Sequence, residues 1–96
     1  MMRVRWTGPA RRDFLGICDW IDARNPQAAE RVGRRILDVA DRLAALPGMG
    51  RTGRVEGTRE FAVPGLPYVI VYANDDGESV VILRVLHGAM RWPPEK

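Results

Sequence analysis

Four side chains in this chain have the chemistry to handle a phosphodiester. Glu60 is a carboxylate and His87 is the only imidazole, two groups able to pass a proton near neutral pH. Arg59 and Arg84 are guanidinium groups able to hold a phosphate. Cleavage beside a ribose 2′-hydroxyl needs such a set: a base, an acid, and cations around the phosphorane. Arginine supplies charge there but cannot shuttle a proton. Each residue also has a plainer reading. His87 can simply close a strand, and Glu60 can be a solvent-facing strand residue paired with a nearby arginine. Arg84 can belong to a structural ion pair, with Glu60 or Glu78 as partner.

The elements that position these groups follow from periodicity. Arg84 lies inside Ser79-Val80-Val81-Ile82-Leu83-Arg84-Val85-Leu86-His87, a run whose Val, Ile and Leu content predicts a central strand. A cation within such a strand is costly unless it has a partner or a wet groove. Strict alternation sends Val81, Leu83 and Val85 to one face, and Val80, Ile82, Arg84 and Leu86 to the other. A one-residue slip exchanges the two.

Ahead of it, Tyr68–Tyr72 predicts a strand, joined to the last one by the turn Asn74-Asp75-Asp76-Gly77. Thr58–Val63 predicts another strand, and Arg3–Trp6 a short first one. Thr7 caps a helix with Pro9 in its first turn, and its apolar stripe is Phe14, Ile17, Cys18 and Ile21. Asn25-Pro26 starts a second helix running to about Leu46, with the stripe Ala29, Val32, Ile36, Val39, Ala40, Leu43, Leu46. Gly48 to Gly57 reads as a loop, whose Arg51 and Arg54 serve solubility. The expected fold is α+β, in the order β-α-α-β-β-β: an antiparallel sheet with an antiparallel helix hairpin on one face. The other sheet face, apolar on the last two strands, then needs a cover: a partner chain, the C-terminal tail or a second copy.

Composition bounds the rest. The chain has 96 residues, with 46% hydrophobic and 28% charged, which excludes the disordered class and predicts one domain over 1–96. No apolar run approaches the ~20 residues of a membrane span, and no secretory leader is evident. Cys18 has no partner for a disulfide and reads as a small buried hydrophobe, so a reducing cytoplasm is expected. There is no metal-ligand spacing, phosphate loop or nucleophile elbow, so neither metal nor cofactor is expected. The net charge of +3, almost all of it arginine, allows an anionic partner without choosing one.

Ordered stretches along nearly the whole chain resemble the RelE/ParE superfamily of toxins from type II toxin–antitoxin modules. They are Trp6-Thr7, Asn25-Pro26-Gln27-Ala28-Ala29, Leu46-Pro47-Gly48-Met49-Gly50-Arg51, Gly57-Thr58-Arg59-Glu60, Pro67-Tyr68-Val69-Ile70-Val71-Tyr72 and Leu83-Arg84-Val85-Leu86-His87-Gly88-Ala89. Arg84-Val85-Leu86-His87 and the long second helix make the ParE branch the nearer likeness. That resemblance implies a cytoplasmic toxin that inhibits DNA gyrase by binding and traps its cleaved-DNA complex. A ParD-like antitoxin would neutralise it, lying across the sheet and helix pair. DNA would be met only indirectly, through the antitoxin complex. The expected contact residues are Arg59, Arg84, His87 and Arg91, with Val80, Ile82 and Leu86 on the face away from the helices.

The RelE branch implies instead a ribosome-dependent mRNA endonuclease using Glu60, Arg84 and His87. Two departures count against it. Val69 follows the strand tyrosine where many such enzymes carry arginine, and the only lysine is Lys96. The reading therefore leans to a binding protein without catalysis. A non-toxic binding relic of the family is the third alternative.

Overall fold

The computed structural model describes residues 2–75 and 77–88, and Arg91 lies outside them. Along the chain come β1 (Arg3–Trp6), α1 (Gly8–Asp22), α2 (Pro26–Ala45), a 3-10 turn (Pro47–Met49), β2 (Arg51–Thr52), β3 (Arg59–Ala62), β4 (Tyr68–Asp75) and β5 (Ser79–His87). The α+β class and the helix hairpin are as expected. Both helices begin at the anticipated caps. The Thr7 hydroxyl accepts from the Ala10 N–H at 3.1 Å, and the Asn25 side chain accepts from Ala28 N–H at 3.1 Å.

The sheet differs from expectation in two respects. Its order is β1-β5-β4-β3-β2, and β1 pairs parallel with β5 while the other pairings are antiparallel. The rest of the chain separates β1 from β5, so no hairpin forces them antiparallel. The additional strand β2, Arg51–Thr52, lies within the stretch read as a loop. A two-residue strand carries no periodicity to detect.

A bulge in β5 corrects the predicted faces. Val71 stands across from Arg84 and Tyr72 across from Ile82, so Leu83 is the extra residue. One extra residue reverses the alternation beyond it. Val80 and Ile82, expected on the face away from the helices, are instead fully buried in the helix-side core with Ile36, Val39 and Leu43, and Val85 joins them. Each such side chain contributes roughly 1.5–3 kcal/mol by leaving water. Arg84 and Leu86 fall on the far face, opposite Val71 and Val69. That face is not a bare apolar sheet. Val71 and Leu86 are buried there, and Glu60 and Arg51 share the row of Val71.

The two helices meet closely at Gly33, where an added Cβ would lie 3.3 Å from Cys18 Sγ and 3.6 Å from the Phe14 ring. Burial raises the pKa of Cys18, with the neighbouring Asp19 charge acting in the same direction. Beyond α2, Tyr72 anchors the 3-10 turn. Its hydroxyl donates to Pro47 O at 2.7 Å and accepts from Gly50 N–H at 2.8 Å. Gly50 is required there, because a Cβ would come within 2.5 Å of that hydroxyl. Burial raises the Tyr72 pKa above its ordinary 10.0, while the Gly50 bond and the Arg59 charge act in the opposite direction.

Tyr72→Phe leaves the Pro47 carbonyl and Gly50 amide without this partner and should lower unfolding free energy by about 1–3 kcal/mol in urea titration. The folded-state pKa is raised, so this contribution is complete below pH 10 and falls as pH climbs toward the folded value. Alkaline destabilisation should therefore be smaller in the Phe variant.

Candidate functional site

β1 is four residues long and β5 nine, so β5 has no strand neighbour on that side beyond Ile82. Unpaired backbone there must find other partners. Thr7 and Asp13, at and near the start of α1, supply them. The Thr7 N–H donates to Ile82 O at 3.1 Å, and its hydroxyl donates to Leu83 O at 3.0 Å. Asp13 then accepts from Val85 N–H at 3.0 Å. The same carboxylate takes Arg84 in a two-pronged pair, Nε to Oδ2 at 2.6 Å and Nη2 to Oδ1 at 3.0 Å. Arg84 thus has an ion-pair partner on α1, not Glu60 or Glu78, and Asp13 raises its pKa.

Glu60 is 5% exposed and not solvent-facing. Its Oε1 accepts from Arg51 at 3.1 Å and its Oε2 from the Arg54 backbone N–H at 3.0 Å. Glu60, Leu86 and His87 border one small cleft of about 40 Å³, together with Arg51 and Arg54. His87 is exposed and meets the Tyr68 ring edge-on at 5.9 Å. Arg59 stands apart from this group. It pairs across from Tyr72 on the helix side and donates to Gly50 O at 2.8 Å.

A second, larger depression of about 750 Å³ lies between α1 and the open end of β5. Ile17, Trp20, Pro67, Tyr68 and Val85 make its apolar lining, with Arg12 at its border. Trp20 is 60% exposed, and Arg24 stacks over its ring at 3.8 Å from the centroid. Among the described residues, no group of His, Cys, Asp and Glu could hold a metal ion. No described helix is long and apolar enough to cross a membrane.

The structure gathers Glu60, Leu86 and His87 around one cleft, whereas the sequence grouped Glu60 with Arg84 and His87. Sequence reasoning gave Arg84 other partners than Asp13, assigned to solubility the Arg51 and Arg54 that hold Glu60, and missed the Trp20–Tyr68 groove. Trp20 carried a weak signal, since it sits one residue off the apolar stripe of α1. Asp13 carried none, because its role depends on where β1 ends.

The family described as "ParE toxin of type II toxin-antitoxin system, parDE" matches residues 4–92. The chain belongs to this ParE family of type II toxins, within the RelE/ParE superfamily. It is 39% identical over 89 residues to Toxin RelE2 of Caulobacter vibrioides, covering 93% of this chain and 98% of that one. Its fold matches a chain of the chromosomal ParDE toxin–antitoxin system of P. aeruginosa with a TM-score of 0.80 and 27% identity, over 91% of this chain and 96% of the other. A chain of the RelBE2 toxin–antitoxin complex of Mycobacterium tuberculosis matches with a TM-score of 0.65 and 31% identity, over 90% and 96%. These matches support an antitoxin as partner.

Asp13→Ala removes the acceptor shared by the Arg84 guanidinium and the Val85 amide. Urea unfolding should show a loss of about 1.5–3 kcal/mol, the range for hydrogen bonds to charged groups. Amide exchange at Val85 should accelerate in this variant and much less in Arg84→Ala.

Proposed function

We propose that this chain is a ParE-like toxin that acts on DNA gyrase by binding, with no bond-breaking chemistry of its own. The observation that carries this reading is the state of Glu60. Both carboxylate oxygens are engaged, by Arg51 and by the Arg54 amide, and the side chain is buried. A general base must lie within hydrogen-bond reach of the proton it removes, and Glu60 is only 5% exposed. Arg84, the cation best placed by sequence to hold a phosphate, is tied to Asp13 instead. On this reading the toxin works in the cytoplasm, beside its target.

The antitoxin, on this proposal, seats apolar side chains in the groove between α1 and the open end of β5. Ile17, Trp20 and Tyr68 supply burial, and Arg12 and Arg24 at the border favour a segment carrying carboxylates. A ribosome-dependent ribonuclease is the second reading. It draws support from the shared cleft of Glu60, His87, Arg51 and Arg54.

One pair of experiments separates the two. Purified toxin is incubated with gyrase, ATP and supercoiled plasmid, then denaturant and protease, and linear DNA is scored. In parallel, Glu60→Ala/His87→Ala is tested for growth arrest. The binding reading expects linear DNA that disappears with antitoxin, and unchanged arrest by the double variant. Absence of linear DNA, with arrest abolished in a variant that still folds, selects the ribonuclease.

A further inference from the structure

We infer that Gly16 is a specificity-determining residue for the antitoxin: it is a notch in α1 against which a helical segment of that partner packs at close range. This rests on the reading that the antitoxin occupies the groove beside α1. It adds the conformation of the occupant and the residue that selects it.

The folded chain does not itself require a glycine at position 16. Gly16 stands in the middle of a 15-residue helix, where glycine is the most costly residue after proline. A glycine so placed is ordinarily explained by a positive φ or by a close neighbour. The positive φ values belong to Gly57, Gly65 and Gly77. A Cβ built on Gly16 meets nothing within 4 Å outside the backbone of its own helix. Gly33 of α2 is the contrast, since Cys18 and Phe14 press against it from α1. In front of Gly16 lies the depression of about 750 Å³.

Helical spacing sets the neighbours of the notch. Arg12, Gly16 and Trp20 follow one another at four-residue intervals, so they share one ridge of α1, and all three are exposed. Ridges of this spacing are what a second helix packs against, at axial separations of about 8–10 Å set by the side chains at the contact. A glycine at the crossing permits the short end of that range. An added strand would instead need the outward main-chain groups of β5. The Ile82 and Leu83 carbonyls already bind Thr7, and the Val85 amide already binds Asp13. A helix satisfies its own backbone and asks for none of these.

Charge selects the antitoxin over a second copy. The Asp13 carboxylate is engaged by Arg84, which leaves Arg12 at the border of an apolar lining. A second copy would bring a chain of net charge +3 against that border. A helix with one apolar face and a carboxylate beside it fits.

The test is calorimetric titration of purified toxin with its cognate antitoxin, for wild type, Gly16→Ala, Gly16→Leu and Trp20→Ala. Gly16→Ala should raise the melting midpoint of the toxin alone by about 4–8 °C, because helix propensity improves and no neighbour is displaced. It should nevertheless weaken antitoxin binding about tenfold, the effect of one methyl forced into a packed contact. Gly16→Leu should weaken it about a hundredfold. In the wild-type complex, antitoxin residues with nuclear Overhauser contacts to the Trp20 indole should carry helical Cα shifts. Extended Cα shifts there overturn the inference. So does a melting midpoint that falls in Gly16→Ala, which would give Gly16 a role inside the chain. Affinity unchanged in both Gly16 variants but weakened in Trp20→Ala overturns it and leaves the groove reading standing. Affinity unchanged in all three variants removes the groove reading and this inference together. Gly16→Leu that keeps antitoxin affinity but dissociates a toxin dimer in sedimentation gives the notch to a second copy and overturns the inference.

Discussion

The Asp13 carboxylate holds the arrangement together. Its two oxygens receive the Val85 amide and both prongs of Arg84, and it stands on a helix whose first residues, through Thr7, already hold Ile82 and Leu83. The need for it is geometric. β5 extends past the end of its neighbour β1, and an exposed strand edge with free donors and acceptors invites pairing with other chains. Helix α1 lends side chains where a strand would have supplied backbone. In doing so it fixes its own position over β5, and that position defines the groove between Trp20 and Tyr68.

The bulge at Leu83 belongs to the same local solution. It lies where β1 stops and Thr7 takes over, and it reverses the alternation of β5 beyond that point. Without it, Val85 would leave the core and Arg84 would enter it. With it, the core keeps Val80, Ile82 and Val85, and the guanidinium lies within reach of Asp13 at the open edge. One extra residue therefore keeps Val85 on the side sealed by the two helices and puts Arg84 and Leu86 on the other.

The two sides suit different kinds of contact. The groove beside α1 is apolar with cationic borders, the composition expected where a flexible segment buries a few anchors. On the far face Glu60 is held by Arg51 and the Arg54 amide, and Val71 and Leu86 are buried beside it.

Much of the fold was determined by local sequence alone. Thr7 and Asn25 cap helices because their short side chains reach backbone amides three residues on, and this requires nothing distant. The apolar stripe of α2 follows from a 3.6-residue period, and Ile36, Val39, Ala40 and Leu43 are buried accordingly. The family likeness, carried by short ordered stretches, was likewise readable without coordinates. The tertiary structure decided what depends on residues far apart. Asp13 and Arg84 are separated by 71 positions, and no local pattern links them. Glu60 is buried by Arg51 and a loop amide that become its neighbours only when a two-residue strand pairs. The faces of β5 turned on a bulge, which alternation cannot reveal, since the extra residue shows only in the pairing with β4.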